Sequence, residues 1–161
     1  MHILLACALV VTLDGLSSPV PADWKEQPAG GMRVKSFTVP HAPGDTRDAE
    51  VIVFFFGPGQ GGGVEDNVTR WQSMFEGPKG KLETFQVGGV KTTVFDVSGT
   101  YLYKPRPVDP SIAPERRPDH RMLGVVFETS HGPYFIRFVG PQKTVAAHKA
   151  AFEGWLKGFK K

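Results

Sequence analysis

Hydrophobic and polar positions divide the chain into short apolar runs and two segments with helical periodicity. Residues 50–56 (EVIVFFF) form a continuous apolar run, which predicts a strand that is buried on both faces and central in a sheet. Residues 32–39 (MRVKSFTV) predict an earlier strand whose apolar parity changes, which suits a bulge near Ser36. The first half of the chain therefore contains two strands.

The second half of the chain predicts two hairpins. Residues 82–87 and 90–97 flank Gly88-Gly89, a two-residue connection that suits a type I′ or II′ turn. Residues 122–129 and 134–139 flank a second short turn. Strands joined so tightly are antiparallel, so we expect a mainly antiparallel sheet.

Two segments have the period of an amphipathic helix. Residues 63–76 place Asn67 inside an otherwise apolar arc formed by Val64, Val68, Trp71, Met74 and Phe75. Gly140-Pro141 opens the last helix, because proline is favourable at the first helical position. The apolar face of that helix comprises Val145, Phe152, Trp155, Leu156 and Phe159.

This order, ββα-ββ-ββα, predicts an α+β fold with about six strands in a mainly antiparallel sheet. Strands in which apolar and polar residues do not alternate are apolar on both faces, and both faces must be buried. We therefore expect the two helices to flank the sheet in a three-layer α/β/α sandwich. Residues 102–120 contain five prolines, which predicts a Pro-rich insertion without regular structure. Tyr101 and Tyr103 at its root offer an aromatic contact surface, and a solvated flexible insertion is the simpler interpretation.

The N-terminal segment resembles an export signal. Residues 3–13 (ILLACALVVTL) form an apolar run that is too short to span a bilayer as a helix but has the length of a signal-peptide core. We therefore expect residues 1–22 to be a signal peptide or export segment and residues 23–161 to be a single domain. The domain should begin after about Ser18 and take nothing for its core from residues 1–18. No Lys or Arg precedes the apolar run, and one explanation is a natural start upstream of Met1.

Cys7 is the only cysteine, so the chain has no internal disulfide and no cysteine-based metal site. Leu4-Leu5-Ala6-Cys7 loosely resembles a bacterial lipobox, in which Cys7 would be lipidated. The alternative is that Cys7 is one more small apolar residue of the signal segment. Both interpretations place the protein outside the cytoplasm, in the periplasm, secreted or anchored to the envelope, with membrane contact only through an N-terminal lipid.

Composition and charge exclude several classes of protein. The chain has 161 residues, of which 40% are hydrophobic and 22% charged, values that are typical of a globular domain and not of a disordered chain. The net charge of +3 and the lack of a long basic run give no indication of nucleic-acid binding. The five histidines show no metal-binding spacing, so we expect no metal.

The loop Gly57–Gly63 (GPGQGGG) satisfies the spacing G-x-G-x-x-G, which is found in dinucleotide-binding loops. A dinucleotide site needs a parallel βαβ unit, whereas an antiparallel hairpin follows the helix here. Glu65 and Asp66 in the first helical turn would repel phosphate, and no Lys-Ser or Lys-Thr follows the loop as a P-loop requires. We therefore expect no nucleotide and no cofactor.

A structural role explains the glycine loop better, because glycines allow positive φ and close backbone approach. The amide of Asn67 needs hydrogen-bond partners on its apolar face, and the backbone groups of the loop are the nearest supply. The alternative is that the loop and helix line a ligand groove, whose candidate residues are Gly59, Gln60, Gly61, Asn67, Arg70 and Trp71.

Three other sets of side chains give weaker indications of a functional site. Ser130-His131 resembles a nucleophile and base, but adjacent residues in a tight turn rarely face each other, so we expect turn chemistry and no catalytic residues. His148 lies in the apolar arc of the last helix, as a histidine at the edge of the core. Asp96 and Arg137 allow a cross-strand ion pair, although exposed positions are the simpler expectation.

The order of elements, the closing G-P-x-K-T-V-A-A-x-K-A-x-F helix and the G-P-G-Q-G-G-G-V-E loop resemble exported bacterial proteins of uncharacterised function. Their pattern is similar to the PsbP-like α/β/α sandwich and covers residues 24–161. That superfamily includes photosystem accessory proteins and a Ran-binding protein, so the resemblance implies a fold and not one activity.

These observations favour an exported, non-enzymatic binding or accessory module with a protein or small-molecule partner. One alternative is a small ligand-binding or hydrolytic enzyme that uses the Gly57–Gly63 loop or the Ser130-His131 turn. Another is a lipid-anchored envelope protein whose domain only supports its partners.

Overall fold

A computed structural model of the protein describes residues 8–105 and 109–161. Within this part the fold is α+β, with two helices, α1 (Val64–Ser73) and α2 (Gln142–Lys157). The strands are β1 (Val10–Leu13), β2 (Leu16–Pro19), β3 (Lys25–Gln27), β4 (Arg33–Val39), β5 (Ala49–Phe54), β6 (Phe75–Glu76), β7 (Lys81–Val87), β8 (Val90–Tyr103), β9 (Glu115–Thr129) and β10 (Gly132–Pro141).

The main sheet has the order β3-β4-β5-β10-β9-β8-β6, and β7 also pairs with β8. All of its pairings are antiparallel. The central position of β5, between β4 and β10, confirms the prediction from its continuous apolar run. The expectation of about six strands is wrong in number, because the described residues also form the separate β1–β2 hairpin and the short strands β3 and β6.

The two predicted hairpins are present. Gly88 and Gly89 join β7 to β8 with φ values of 54° and 79°, and positive φ at both positions is the requirement of a type I′ turn. The hairpin of β9 and β10 closes at the pair Thr129 and Gly132. The bulge in β4 is also present, but the register shifts between Arg33 and Lys35 and not at Ser36.

The Pro-rich insertion is shorter than predicted. β8 continues to Tyr103 and β9 begins at Glu115, so Pro118 lies inside a strand. Because Gly99 pairs with His120 and Tyr101 with Arg117, Pro118 lies where the register is broken, and a missing N–H is tolerated at such a bulge. The connection that remains spans residues 104–114, and its residues 106–108 lie outside the described part.

Two hydrophobic clusters lie on opposite faces of the sheet, which confirms the layered arrangement. The larger cluster joins the sheet to α2 and to the β1–β2 hairpin, and it includes all five predicted apolar residues of the last helix segment. The smaller cluster joins the sheet to α1 through Trp71, with Val64, Val68 and Met74 packed at its edge. Helix α1 ends at Ser73, before its predicted end, and Phe75 instead belongs to β6.

The N-terminal residues contradict the expectation that residues 1–18 contribute nothing to the core. Val11, Leu13 and Leu16 are buried in the larger cluster. The hydroxyl of Ser18 donates a hydrogen bond to the Trp155 carbonyl at 2.6 Å, and Ser17 forms a β-bridge with Lys160. An apolar run has the same composition in an export signal and in a buried hairpin, and here the face of α2 supplies the surface that buries it. Cys7 lies outside the described residues.

Within residues 8–105 and 109–161, no helix combines the length and the apolar character needed to cross a membrane.

Candidate functional site

A groove lies between α1 and strands β5 and β10, on the face of the sheet opposite α2. Its volume is about 160 Å³, and it is lined by Phe54, Phe56, Arg70, Trp71, Phe135 and Arg137. Trp71 lies directly on Gly124 of β9, where an added Cβ would come within 2.5 Å of the indole ring. Gly124 therefore lets α1 approach β9 closely, and the neighbouring strands β10 and β5 form the floor beside the helix.

Two arginines line this groove, Arg70 of α1 and Arg137 of β10, and Arg33 of β4 lies beside it over the Phe54 ring. We call these three residues the arginine cluster. The Arg137 guanidinium carbon lies 4.7 Å from the centroid of the Phe54 ring, and that of Arg33 lies 5.8 Å from the same centroid. Phe54 in turn stacks on Phe56 at 5.9 Å, so the positive charges border an aromatic wall.

Arg137 has an unusual electrostatic environment. Burial lowers the pKa of its guanidinium, and the charges of Arg33 and Arg70 lower the pKa in the same direction, whereas Tyr101 and Glu50 act against this. Within the described residues, no carboxylate lies at ion-pair distance from any member of the arginine cluster. A cation–π contact contributes about 0.5–2 kcal/mol but carries no negative charge. The arginine cluster therefore has three positive charges without a carboxylate partner among the described residues, and the charge of Arg137 is half-buried.

Asn67 connects the glycine loop to the arginine cluster. It is fully buried, and its amide nitrogen donates hydrogen bonds to the carbonyl oxygens of Gly61 at 3.0 Å and Gly63 at 2.8 Å. This confirms the prediction that the loop backbone supplies the partners of Asn67. Its amide oxygen accepts a hydrogen bond from Arg70, which orients that guanidinium at the groove.

The glycine loop packs tightly behind the groove. Gly61 has φ of 96°, and an added Cβ would lie 2.5 Å from Phe135 and 2.8 Å from Phe56. Gly59 and Gln60 are exposed and do not line the groove. Of the predicted groove residues, Arg70 and Trp71 line it, and Gly61 and Asn67 support it from behind.

The sequence pattern did not indicate Arg137 and the three phenylalanines as groove residues, nor Arg33 as the residue beside them. The available signal was Arg137 itself, which is the one charged residue in the apolar run YFIRFV. The considered ion pair between Asp96 and Arg137 is wrong, because Asp96 pairs with Arg121 at 2.6 Å. Asp96 lies opposite Leu123 of the α2-facing cluster, whereas Arg137 lies opposite Gly124, so the two side chains belong to opposite faces of the sheet.

The Ser130-His131 turn lacks the geometry of a nucleophile and base. The hydroxyl of Ser130 donates a hydrogen bond to the Asp14 carboxylate at 2.9 Å, and the His131 ring stacks against Phe55 with centroids 6.0 Å apart. His148 contacts the Pro40 carbonyl at 2.8 Å through its ring Nε2. Across the described part of the chain, no group of three or more His, Cys, Asp or Glu side chains is placed to hold a metal ion.

The chain is similar in structure to several solved protein chains, including one from a cyanobacterium and one from Pseudomonas aeruginosa. PsbP of the cyanobacterium Synechocystis sp. PCC 6803 superposes with a TM-score of 0.54 and 13% identity, over 91% of this chain and 86% of PsbP. PA94 of Pseudomonas aeruginosa, a protein of unknown function described as a candidate regulator, superposes with a TM-score of 0.50 and 15% identity, over 93% of this chain and 94% of PA94. The sequence matches no protein-family model and no curated protein. The fold is thus PsbP-like, as the sequence resemblance implied, and identities this low establish only the fold.

Proposed function

We propose that the protein is a non-enzymatic binding module whose groove binds a small organic anion with a flat apolar part. One observation carries this proposal, namely that the half-buried guanidinium of Arg137 lies on Phe54 with no carboxylate at ion-pair distance in the described chain. A buried charge without a counter-charge is costly, and a bound anion would remove much of that cost.

The chemistry of the lining selects the ligand class. Guanidinium groups bind carboxylates and phosphates through paired hydrogen bonds, so the arginine cluster suits an oxyanion. The aromatic wall of Phe54, Phe56 and Phe135 suits a flat apolar group next to that anion.

The size of the groove limits the ligand. An apolar cavity of about 150 Å³ accommodates benzene, so a groove of about 160 Å³ accepts one aromatic ring or a similar group. Sites for larger ligands enclose about 300–1,000 Å³, so a whole nucleotide would extend well outside the groove. An aromatic carboxylate is therefore the simplest probe.

The test compares benzoate with the isosteric neutral benzamide by ligand-observed NMR and calorimetry. We expect benzoate to bind with a Kd near 1 mM, which corresponds to about 4 kcal/mol, and benzamide to bind at least about tenfold more weakly. Added salt should weaken the binding of benzoate, because the attraction is electrostatic. Inorganic phosphate forms a third arm, which measures the contribution of the oxyanion without the ring.

Arg137→Gln should reduce benzoate affinity by about tenfold or more, whereas the matched variant Arg116→Gln should leave it unchanged. Arg116 is a suitable control because its side chain is exposed and pairs with Glu76 away from the groove. Equal affinity for benzoate and benzamide, or full binding by the Arg137 variant, would contradict the proposal. Binding of phosphate alone would restrict the site to simple oxyanions.

We also propose that the protein is exported and that cleavage of any signal lies before β1. The buried positions of Val11, Leu13 and Leu16 support this boundary, since cleavage after Ser18 would remove all three from the core. Intact mass and N-terminal sequencing of protein recovered from the periplasm or the medium test the proposal. Retention of the protein in the cytoplasm, or a mature chain that starts after Ser18, would contradict it.

A further inference from the structure

A second pocket of about 220 Å³ lies on the same side of the sheet and shares no lining residue with the groove. It is lined by Arg47, Asp48, Glu50, Tyr101, Tyr103, Arg117, His120, Val139 and Gly140. A single water needs only about 10–15 Å³ of such space, so the pocket has room for a larger occupant.

A bulge in β9 builds this pocket. Residues three apart in a regular strand point to opposite faces, yet Arg117 and His120 both line the pocket. The register breaks between them, and Asp119 there has φ of 52°, which is unusual for a residue other than glycine. Bulges of this kind redirect side chains and are frequent beside functional sites.

Two buried nitrogen atoms of the pocket residues have no hydrogen-bond partner among the described residues: Nε of Arg117 and Nε2 of His120. The Nδ1 atom of His120 lies 2.9 Å from the Pro118 carbonyl oxygen. Because a carbonyl only accepts, Nδ1 must carry the proton, which leaves Nε2 of the neutral ring as an acceptor. Burial lowers the pKa of His120 and so favours this neutral form.

The two atoms thus have complementary requirements. Arg117 Nε offers a donor, and its guanidinium is held 3.7 Å from the centroid of the Tyr103 ring. His120 Nε2 requires a donor from its partner, and a hydroxyl group is able to donate to one of these atoms and accept from the other. Buried polar atoms of this kind are normally satisfied, so an occupant whose hydroxyl reaches them would be favoured.

The charges of the lining favour an uncharged occupant. Arg47 and Arg117 lie 3.6 and 3.3 Å from carboxylate oxygens of Glu115, at ion-pair distance. The Asp48 carboxylate lies 2.7 Å from His41 Nδ1, so three of the four charged groups in the lining already have a partner. This pairing differs from the arginine cluster, where the positive charges have no carboxylate partners. A ligand with both donors and acceptors, and no net charge, matches such a wall.

We propose that this second pocket binds a neutral polyhydroxylated ligand of about monosaccharide size, with one hydroxyl bridging Arg117 Nε and His120 Nε2. The probes are D-glucose, D-galactose and myo-inositol, measured by saturation-transfer NMR on the full chain. At least one of them should bind saturably with a Kd below about 10 mM.

His120→Phe removes the acceptor, and Arg117→Lys removes the Nε donor while it keeps the positive charge. Each should weaken binding by about fivefold or more, whereas His131→Phe, the same change at an exposed histidine outside the pocket, should have no effect. An NMR titration of the His120 ring gives an independent readout. The bound hydroxyl donates to the neutral form, so saturation with the ligand should lower the pKa of His120 further.

The proposal is overturned if none of the three probes binds at about 100 mM, far above the expected Kd, or if binding persists unchanged in Arg117→Lys. Competition by acetate or phosphate would also overturn it, because the pocket would then be an anion site. Should His120→Phe fail to fold, Arg117→Lys and the titration of His120 decide the outcome.

Discussion

Replacing Asn67 with leucine tests whether the amide of Asn67 holds the glycine loop on the helix. The substitution removes three hydrogen bonds: two that the amide nitrogen donates to the carbonyl oxygens of Gly61 and Gly63, and one that the amide oxygen accepts from Arg70. Arg70 is exposed, so its guanidinium is able to bond water instead. The Gly63 oxygen keeps the backbone N–H of residue 67 as a partner, whereas the Gly61 oxygen loses the partner that Asn67 provided. The damage is therefore concentrated at Gly61.

The expected loss follows from these contacts. A buried carbonyl left without a partner, as at Gly61, costs about 1–3 kcal/mol, and the lost bond to Gly63 adds about 1 kcal/mol. The leucine buries extra apolar surface, which offsets part of this loss and leaves about 1–3 kcal/mol. In a domain of about 150 residues, that change lowers Tm by roughly 2–12 °C.

Urea denaturation followed by tryptophan fluorescence measures the effect, since Trp71 lies on the same helix. Thr69→Leu is the matched control, because Thr69 is an exposed residue of α1 and the change in side chain is similar. The urea midpoint should fall for Asn67→Leu with an unchanged m-value, and it should stay close to wild type for Thr69→Leu. A loss below about 0.5 kcal/mol for Asn67→Leu, the range of ordinary surface changes, would refute the reasoning.

Three further outcomes are expected. Gly61→Val should destabilise the fold by more than about 2 kcal/mol, as judged by denaturation, because the new Cβ would lie 2.5 Å from Phe135 at a positive φ. Saturable ATP binding by the wild type that is lost in a folded Gly61→Val variant would contradict this structural role. Deletion of residues 1–18 should abolish cooperative unfolding, because each buried side chain of the β1–β2 hairpin contributes about 1.5–3 kcal/mol to stability. A truncated chain as stable as the full chain would be incompatible with that packing. Burial lowers the pKa of His120, so the unfolded state binds the proton more readily and stability should fall as pH drops through the unfolded value near 6.5. Thermal melting at each pH should show that the wild type loses more stability than His120→Gln between neutral pH and pH values near 5. Equal losses would show that His120 does not contribute.

The local sequence pattern alone was sufficient to predict the elements whose burial follows from the order of apolar and polar residues. A continuous apolar run has to be covered on both faces, so β5 was placed correctly in the interior of the sheet. The Gly88-Gly89 connection predicted its hairpin, because few other residues adopt positive φ at two successive positions. The burial of Asn67 among apolar residues also followed from the helical period.

Other features depended on contacts between distant parts of the chain. The apolar N-terminal run fits an export signal and a buried hairpin equally well, and only the face of α2 decides that Val11, Leu13 and Leu16 are buried. The strand that contains Pro118 exists because a register break removes the ladder position that proline cannot fill.

The same distinction applies to the residues of the candidate site. Helical periodicity and the adjacent glycine loop were sufficient to nominate Arg70 and Trp71. Arg137 and Arg33 are distant from Arg70 along the chain and lie on different strands. Antiparallel pairing of both strands with β5 brings them to one aromatic wall. Local pattern specifies which face of its own element a side chain occupies, whereas the charges that gather on that face are decided by strand order and register, which are properties of the folded sheet alone.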